Sequence, residues 1–101
     1  INAVGHPFMI RVSPGGANYD TGLTHVSTAG IVTTEAGAQA KVTGTLIWKV
    51  PYSLVGTTYV YQCSNHAGMV GNLIIQNTVT AAFTAANSAA SDGLAFAIAL
   101  G

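Results

Sequence analysis

Tyr59-Val60-Tyr61-Gln62-Cys63-Ser64-Asn65-His66-Ala67-Gly68-Met69-Val70-Gly71 joins a strand pattern to a row of soft donors. From Thr57 to Cys63 the residues alternate. Tyr59, Tyr61 and Cys63 share one face, and Thr58, Val60 and Gln62 share the other, the period of two that a pleated strand imposes. A second apolar run, Val70 to Gln76, resumes after the loop. Cys63, His66 and Met69 stand at three-residue spacings in the connection between these two strands.

Working outward, β patterning continues on both sides. Thr45 to Val50 places Leu46, Trp48 and Val50 on one face and Thr45, Ile47 and Lys49 on the other, and Pro51 ends it by removing a ladder donor. Ile1 to Val12 holds another strand, with Phe8, Ile10 and Val12 in phase. Ser13-Pro14-Gly15-Gly16 must break it. The stretch from Ala17 to Val42, punctuated by Gly22, Gly30 and Gly37, is too long for a plain connection and is expected to hold short strands of its own.

The last quarter, Asn77 to Gly101, is rich in alanine. Alanine favours helix by propensity. Yet Leu94, Phe96, Ile98 and Leu100 alternate with Ala95, Ala97 and Ala99, and Val79, Ala81, Phe83 and Ala85 follow the same period. Periodicity outranks propensity, so an apolar β-hairpin is expected, joined by the polar loop Asn87 to Gly93. Twenty-five residues cannot enclose a core of their own. The expected division is therefore a domain over 1–76 and an extension over 77–101 that packs on it or on a neighbouring subunit.

A thiolate, an imidazole and a thioether on one short loop form a soft-donor set. A second imidazole would complete a trigonal two-His, one-Cys site with a weak axial Met, the geometry of blue-copper centres. His6, in Gly5-His6-Pro7-Phe8, is available on the early strand, and Pro7 biases it toward extended geometry. Zinc is the main rival metal, held by one Cys and two His with water as fourth ligand. Met is a poor zinc ligand, which favours copper. His6 and Cys63 must then approach each other: a separation beyond about 5 Å is incompatible with metal–ligand bonds of about 2.0–2.3 Å.

These residues resemble the cupredoxin family. The likeness covers about residues 1 to 76 and rests on the early His6 and on Tyr59-x-Tyr61-x-Cys63-x-x-His66-x-x-Met69-x-Gly71, with the short ligand loop of amicyanin. It implies an all-β, Greek-key β-sandwich, and it implies copper held by His6, Cys63, His66 and Met69. Gly-His-Pro-Phe followed by Tyr-x-Tyr-Gln-Cys-Ser-Asn-His is similar, more narrowly, to cupredoxin-like domains in virion structural proteins of phages that infect marine cyanobacteria. Two positions depart from the family pattern. Pro7 replaces the Asn that often follows the early His, removing a hydrogen bond near the thiolate. Two or three strands usually precede that His, whereas Ile1 to Gly5 alone precede it here, so an N-terminally truncated sandwich is expected. With Ile1 first, the chain is expected to be a processed product, an excised domain or the ordered part of something longer.

The remaining histidine, His25, falls among turn residues and reads as a plain loop residue. Tyr59, Tyr61 and Trp48 read as core aromatics, the Trp48 indole requiring an acceptor.

Composition narrows the function. The chain has 101 residues, 50% of them hydrophobic and 6% charged, with a formal net charge of zero; about a quarter charged is usual. No basic stripe supports nucleic-acid binding, and no apolar run of about eighteen residues supports a membrane span. One cysteine excludes an internal disulfide framework. Asp20, Glu35 and Asp92 are the carboxylates, and none is paired with His at a motif spacing, so no enzyme activity is expected. Three functions compete. The first is a structural module of a virus particle, as capsid decoration or in a tail, with neighbouring subunits as partners. The second is a soluble electron carrier of a periplasm or thylakoid lumen. The third is a redox-inactive domain that keeps the motif as a relic.

Overall fold

The computed structural model of the protein describes residues 1–77. Six strands lie within them: β1 Phe8–Arg11, β2 Leu23–Val26, β3 Val32–Thr34, β4 Thr45–Trp48, β5 Thr58–Cys63 and β6 Val70–Ile74. They form two antiparallel sheets of three, in the orders β1-β5-β6 and β3-β2-β4. The fold is an all-β sandwich, as the alternation predicts. Strand ends differ from the expected ones by up to two residues. Thus β4 stops at Trp48 because Lys49 leaves the ladder to donate its N–H to the Gly22 carbonyl at 2.9 Å. The hairpin expected over 79–100 lies outside the described residues.

Core residues come from both sheets. Ile10 of β1, Leu23 of β2 and Ala38 are buried, with Phe8, Tyr19, Leu46, Trp48 and Leu73 packed around them. Leu23, 1% exposed, is the largest side chain so enclosed. An aromatic wall extends this core. Tyr19 meets Tyr59 edge-on at 5.0 Å, and Trp48 stacks near Tyr59 at 6.3 Å. The Trp48 indole donates to the Thr21 carbonyl at 3.1 Å, in a bond exposed at the rim of the core.

Two expectations are corrected. His25 is not a loop residue. It lies in β2 opposite Thr33 and Leu46, is 4% exposed, and sets its ring Nε2 2.6 Å from the Thr43 carbonyl. A carbonyl only accepts, so Nε2 carries the proton. The flanking glycines and threonines mask a strand whose alternation is carried by Leu23 and His25 themselves. Tyr61 is not enclosed like a core aromatic. It remains 41% exposed, stacked on Phe8 with ring centroids 5.7 Å apart. Its ring lies over Gly71, its register partner, where a Cβ would come within 2.2 Å of it.

Two buried glutamines take the place of missing strand partners. On the far side of β1 from β5, the Gln39 side chain accepts from Ile10 N–H at 2.9 Å and donates to the Ile10 carbonyl at 3.0 Å. Gln39 thereby supplies the partner of Ile10 N–H at an edge that backbone bonds with Lys41, Ala40, Tyr19 and Ala17 otherwise cover. Gln62 plays a related part under the loop between β5 and β6.

Candidate metal centre

Sheet register builds the site. In the β1–β5 pairing Phe8 stands opposite Cys63. The chain just before Phe8 and the chain just after Cys63 therefore leave the same end of the sandwich side by side. His6 is not within β1, as the sequence pattern suggests, but in the turn before it, where its N–H donates to the Ala3 carbonyl at 2.8 Å. Pro7, without an N–H, separates that turn from the strand. Backbone bonds pin the arm: Ala3 N–H donates to Val42 and Phe8 N–H to Lys41, at 2.8 and 2.9 Å.

Two further bonds stitch the His6 turn to the Cys63 loop. Ser64 N–H donates to the Pro7 carbonyl at 3.0 Å, and Asn65 Nδ2 donates to the Gly5 carbonyl at 3.3 Å. Within the loop Met69 N–H donates to the His66 carbonyl, and Cys63 N–H to the Met69 carbonyl, both at 2.9 Å. The second bond ends the β5–β6 ladder, and the first tightens the turn that carries His66.

These bonds bring three donor atoms together. His6 Nδ1 and His66 Nδ1 lie 3.1 Å apart, Cys63 Sγ lies 3.5 Å from His66 Nδ1, and it lies 3.8 Å from His6 Nδ1. The same nitrogen of each ring faces the thiol. A circle through the three atoms, its radius being the product of the sides over four times the triangle's area, measures about 2.0 Å, and first-row metals take nitrogen at about 2.0–2.1 Å and sulfur at about 2.3 Å. The three atoms are thus spaced so that one ion held by them would find ordinary bond lengths to each. The His6–Cys63–His66 group can hold a metal ion.

The surroundings fit a thiolate centre with limited access. Cys63 is 7% exposed, and its sulfur accepts from Asn65 N–H at 3.4 Å. His66 is exposed and His6 half-buried, so one imidazole edge faces solvent. A cavity of about 360 Å³ adjoins the donors, lined among others by His6, Cys63, Met69, Phe8 and Tyr61. Met69 thus shares a wall with two of the three donors, and its side chain is 48% exposed.

His6, Cys63 and His66 converge, and Met69 lies beside them. Sequence reasoning missed the residues that aim these donors. Asn65 bridges the two loops, and Gln62, 2% exposed, anchors the ligand loop from beneath. A polar residue one position before Cys63, flanked by strand residues, was the available signal for Gln62. Nothing in the spacing of Asn65 marks its reach to Gly5, which depends on the register of β1 with β5.

No family model, curated protein or solved structure matches the chain.

Proposed function

We propose that the protein is a copper-binding β-sandwich module of a virus particle, serving as capsid decoration or in a tail, in which His6, Cys63 and His66 would be the strong ligands and Met69 a weak one. The observation that carries the metal reading is the triangle of Nδ1, Nδ1 and Sγ with sides of 3.1, 3.5 and 3.8 Å. Two neutral imidazoles and one thiolate give a donor set of charge −1 that suits copper in both oxidation states. When bound, copper supplies a one-electron couple. The chain's own residues hold the ligand triangle, hydrogen-bond the sulfur through Asn65 N–H, and shield Cys63 from solvent. Since metal ligation joins the His6 arm to the Cys63 loop, its binding free energy also adds to folding.

The placement in an assembly rests on the likeness of the His6 and Cys63 segments to cupredoxin-like phage virion domains. It is supported by zero net charge and by large apolar side chains at the surface: Tyr52 at 77% exposure, Ile74 at 69% and Ile47 at 52%. The second reading, a soluble electron carrier, is favoured by the exposed His66, which offers an electron a short path to a partner.

Titration of the purified chain with Cu(II) tests the metal reading. An intense visible thiolate-to-copper absorption at one equivalent, lost in Cys63→Ser, is expected; its absence from the wild type overturns the reading. Metal analysis of the native particle tests the setting. Mass by size-exclusion chromatography separates the two functions, a carrier being monomeric and a particle module associating.

A further inference from the structure

Apart from the bonds of Met69 N–H to the His66 carbonyl and of Cys63 N–H to the Met69 carbonyl, the ligand loop has little of its own to hold its shape. His66, Ala67, Gly68 and Met69 are all exposed, and a Cβ built on Gly68 would meet nothing within 4 Å. Packing on the His66 ring is confined to its tilted contact with the His6 ring, centroids 4.8 Å apart, and does not by itself fix the ring's direction. Polar bonds must do so, and one comes from an unusual place.

Gln62 precedes the thiol on β5 and points to the opposite face, where it is 2% exposed. Its Oε1 accepts from Arg11 Nη1 and from Gly15 N–H, each at 2.8 Å. With both donors on the oxygen, the amide cannot turn over without setting its NH2 against them. Nε2 is thereby committed to the other side, where it donates to the Ala67 carbonyl at 2.8 Å. Ala67 follows His66 directly. The bond ties the tip of the loop to the sheet from below, while Asn65 ties its start to the His6 turn.

We propose that Gln62 is a positioning residue for the metal loop: its amide, oriented by Arg11 and the Gly15 turn, holds the Ala67 carbonyl and so aims His66 Nδ1 at Cys63 Sγ and His6 Nδ1. The inference rests on the metal reading for its consequence, but the hold on the loop exists without metal. Gln62 touches no ligand atom of the triangle and acts through Ala67.

Gln62→Glu separates positioning from support of the fold. The carboxylate keeps an acceptor for Arg11 and Gly15 but turns an oxygen toward the Ala67 carbonyl, so the loop bond alone is lost. In the metal-free protein, hydrogen exchange at the Met69 amide, which closes the turn on His66, is expected to rise at least about tenfold, while amides of β5 and β6 stay protected. Copper affinity is expected to fall about 10–100-fold, as for other residues that orient ligands, with a shifted thiolate-to-copper band. Wild-type exchange in Gln62→Glu overturns the hold on the loop. Altered exchange with wild-type affinity and an unshifted band overturns the positioning role.

A wild type without any thiolate band sinks the metal reading instead, and the exchange measurement then judges the hold by itself. Should the variant not fold, NMR of the wild type decides. Gln62 side-chain amide protons protected from solvent and close to Ala67 support the inference, and freely exchanging ones overturn it.

Discussion

Cys63 pairs with Phe8, 55 positions earlier, in the antiparallel register of β1 and β5. This pairing decides whether a metal site exists. Successive residues of a strand point to opposite faces, so a slip of one residue would turn Cys63 away from the His6 turn. The register is fixed by burial: Ile10 is 4% exposed and Cys63 7% exposed on one face, Met9 6% and Val60 3% on the other. Neither strand can shift by one without exchanging these sets, and the aromatic stack of Phe8 on Tyr61 adds a side-chain lock on the same pairing.

Asn65 tests the stitch between the two loops. Its Nδ2 bond to the Gly5 carbonyl is exposed, so Asn65→Ala is expected to cost no more than about 1 kcal/mol of stability. The backbone N–H to Cys63 Sγ survives in that variant. With the His6 turn freed, copper affinity should nonetheless drop about tenfold or more. Competition titration with a chelator reads this directly, and an unchanged affinity would show that the side chain does not hold His6 in place.

Met69 tests whether the thioether acts as the weak ligand proposed beside the three strong donors. Met69→Leu conserves volume at a half-exposed position, so melting of the metal-free protein should stay within a few degrees of wild type. Copper is still expected to bind, because the two imidazoles and the thiolate remain. If the thioether is a weak ligand, the reduction potential should move, since such a ligand tunes it. A loss of binding as complete as in Cys63→Ser would make the thioether a principal ligand, and a potential identical to wild type would exclude it as a ligand.

How much of this was legible in the sequence follows from what each residue depends on. Alternation in Thr57–Cys63 and Thr45–Val50 announces strands because one face of each must be buried, and that requirement is local. The donors Cys63, His66 and Met69 share one loop, so their spacing is visible. His6 could be nominated but not placed, since its approach depends on a register between strands more than 50 residues apart. His25 reads as a loop residue for a related reason. Its neighbours look like turn residues, and its burial comes from pairing with Leu46 and from a carbonyl at Thr43. Gln39 carries no motif, and Gln62 stands in the Tyr-x-Tyr-Gln-Cys segment without any mark of its role. A glutamine in a sequence looks solvated until the backbone groups that it must satisfy are known.

Gln39 is therefore expected to be among the most sensitive polar positions. Gln39→Leu keeps the size of the side chain but orphans Ile10 N–H, whose bond to Gln39 Oε1 is buried. It also withdraws a donor from the carbonyls of Ile10 and Tyr19. One unsatisfied buried group costs about 1–3 kcal/mol, so a loss of at least about 2 kcal/mol is expected by urea unfolding. A Gln39→Leu protein as stable as wild type would mean that water replaces the amide at the β1 edge.

Gly44 carries the same logic to the far side of the His6 arm. Its φ is +87°, and a Cβ there would lie 2.5 Å from the Val26 carbonyl oxygen and 2.7 Å from His25 Nε2. The carbonyl belongs to β2 and cannot retreat, and the ring is held by its bond to Thr43. Gly44→Ala thus combines a left-handed backbone, costing about 1–2 kcal/mol, with overpacking of about 1–3 kcal/mol. A fall in melting temperature of roughly 10 °C or more is expected for a domain of this size. The effect should also reach the metal centre. Residues 41–43 bridge to Asn2 and Phe8 and bind Ala3, so displacing them moves the arm that presents His6. Copper affinity should fall together with stability, whereas Leu23→Ala, which cuts the core without touching that arm, should lower stability by about 2–5 kcal/mol and leave the affinity of the folded fraction unchanged. Equal affinity losses in the two variants would show that the site responds to overall stability rather than to the 41–44 support of the His6 arm.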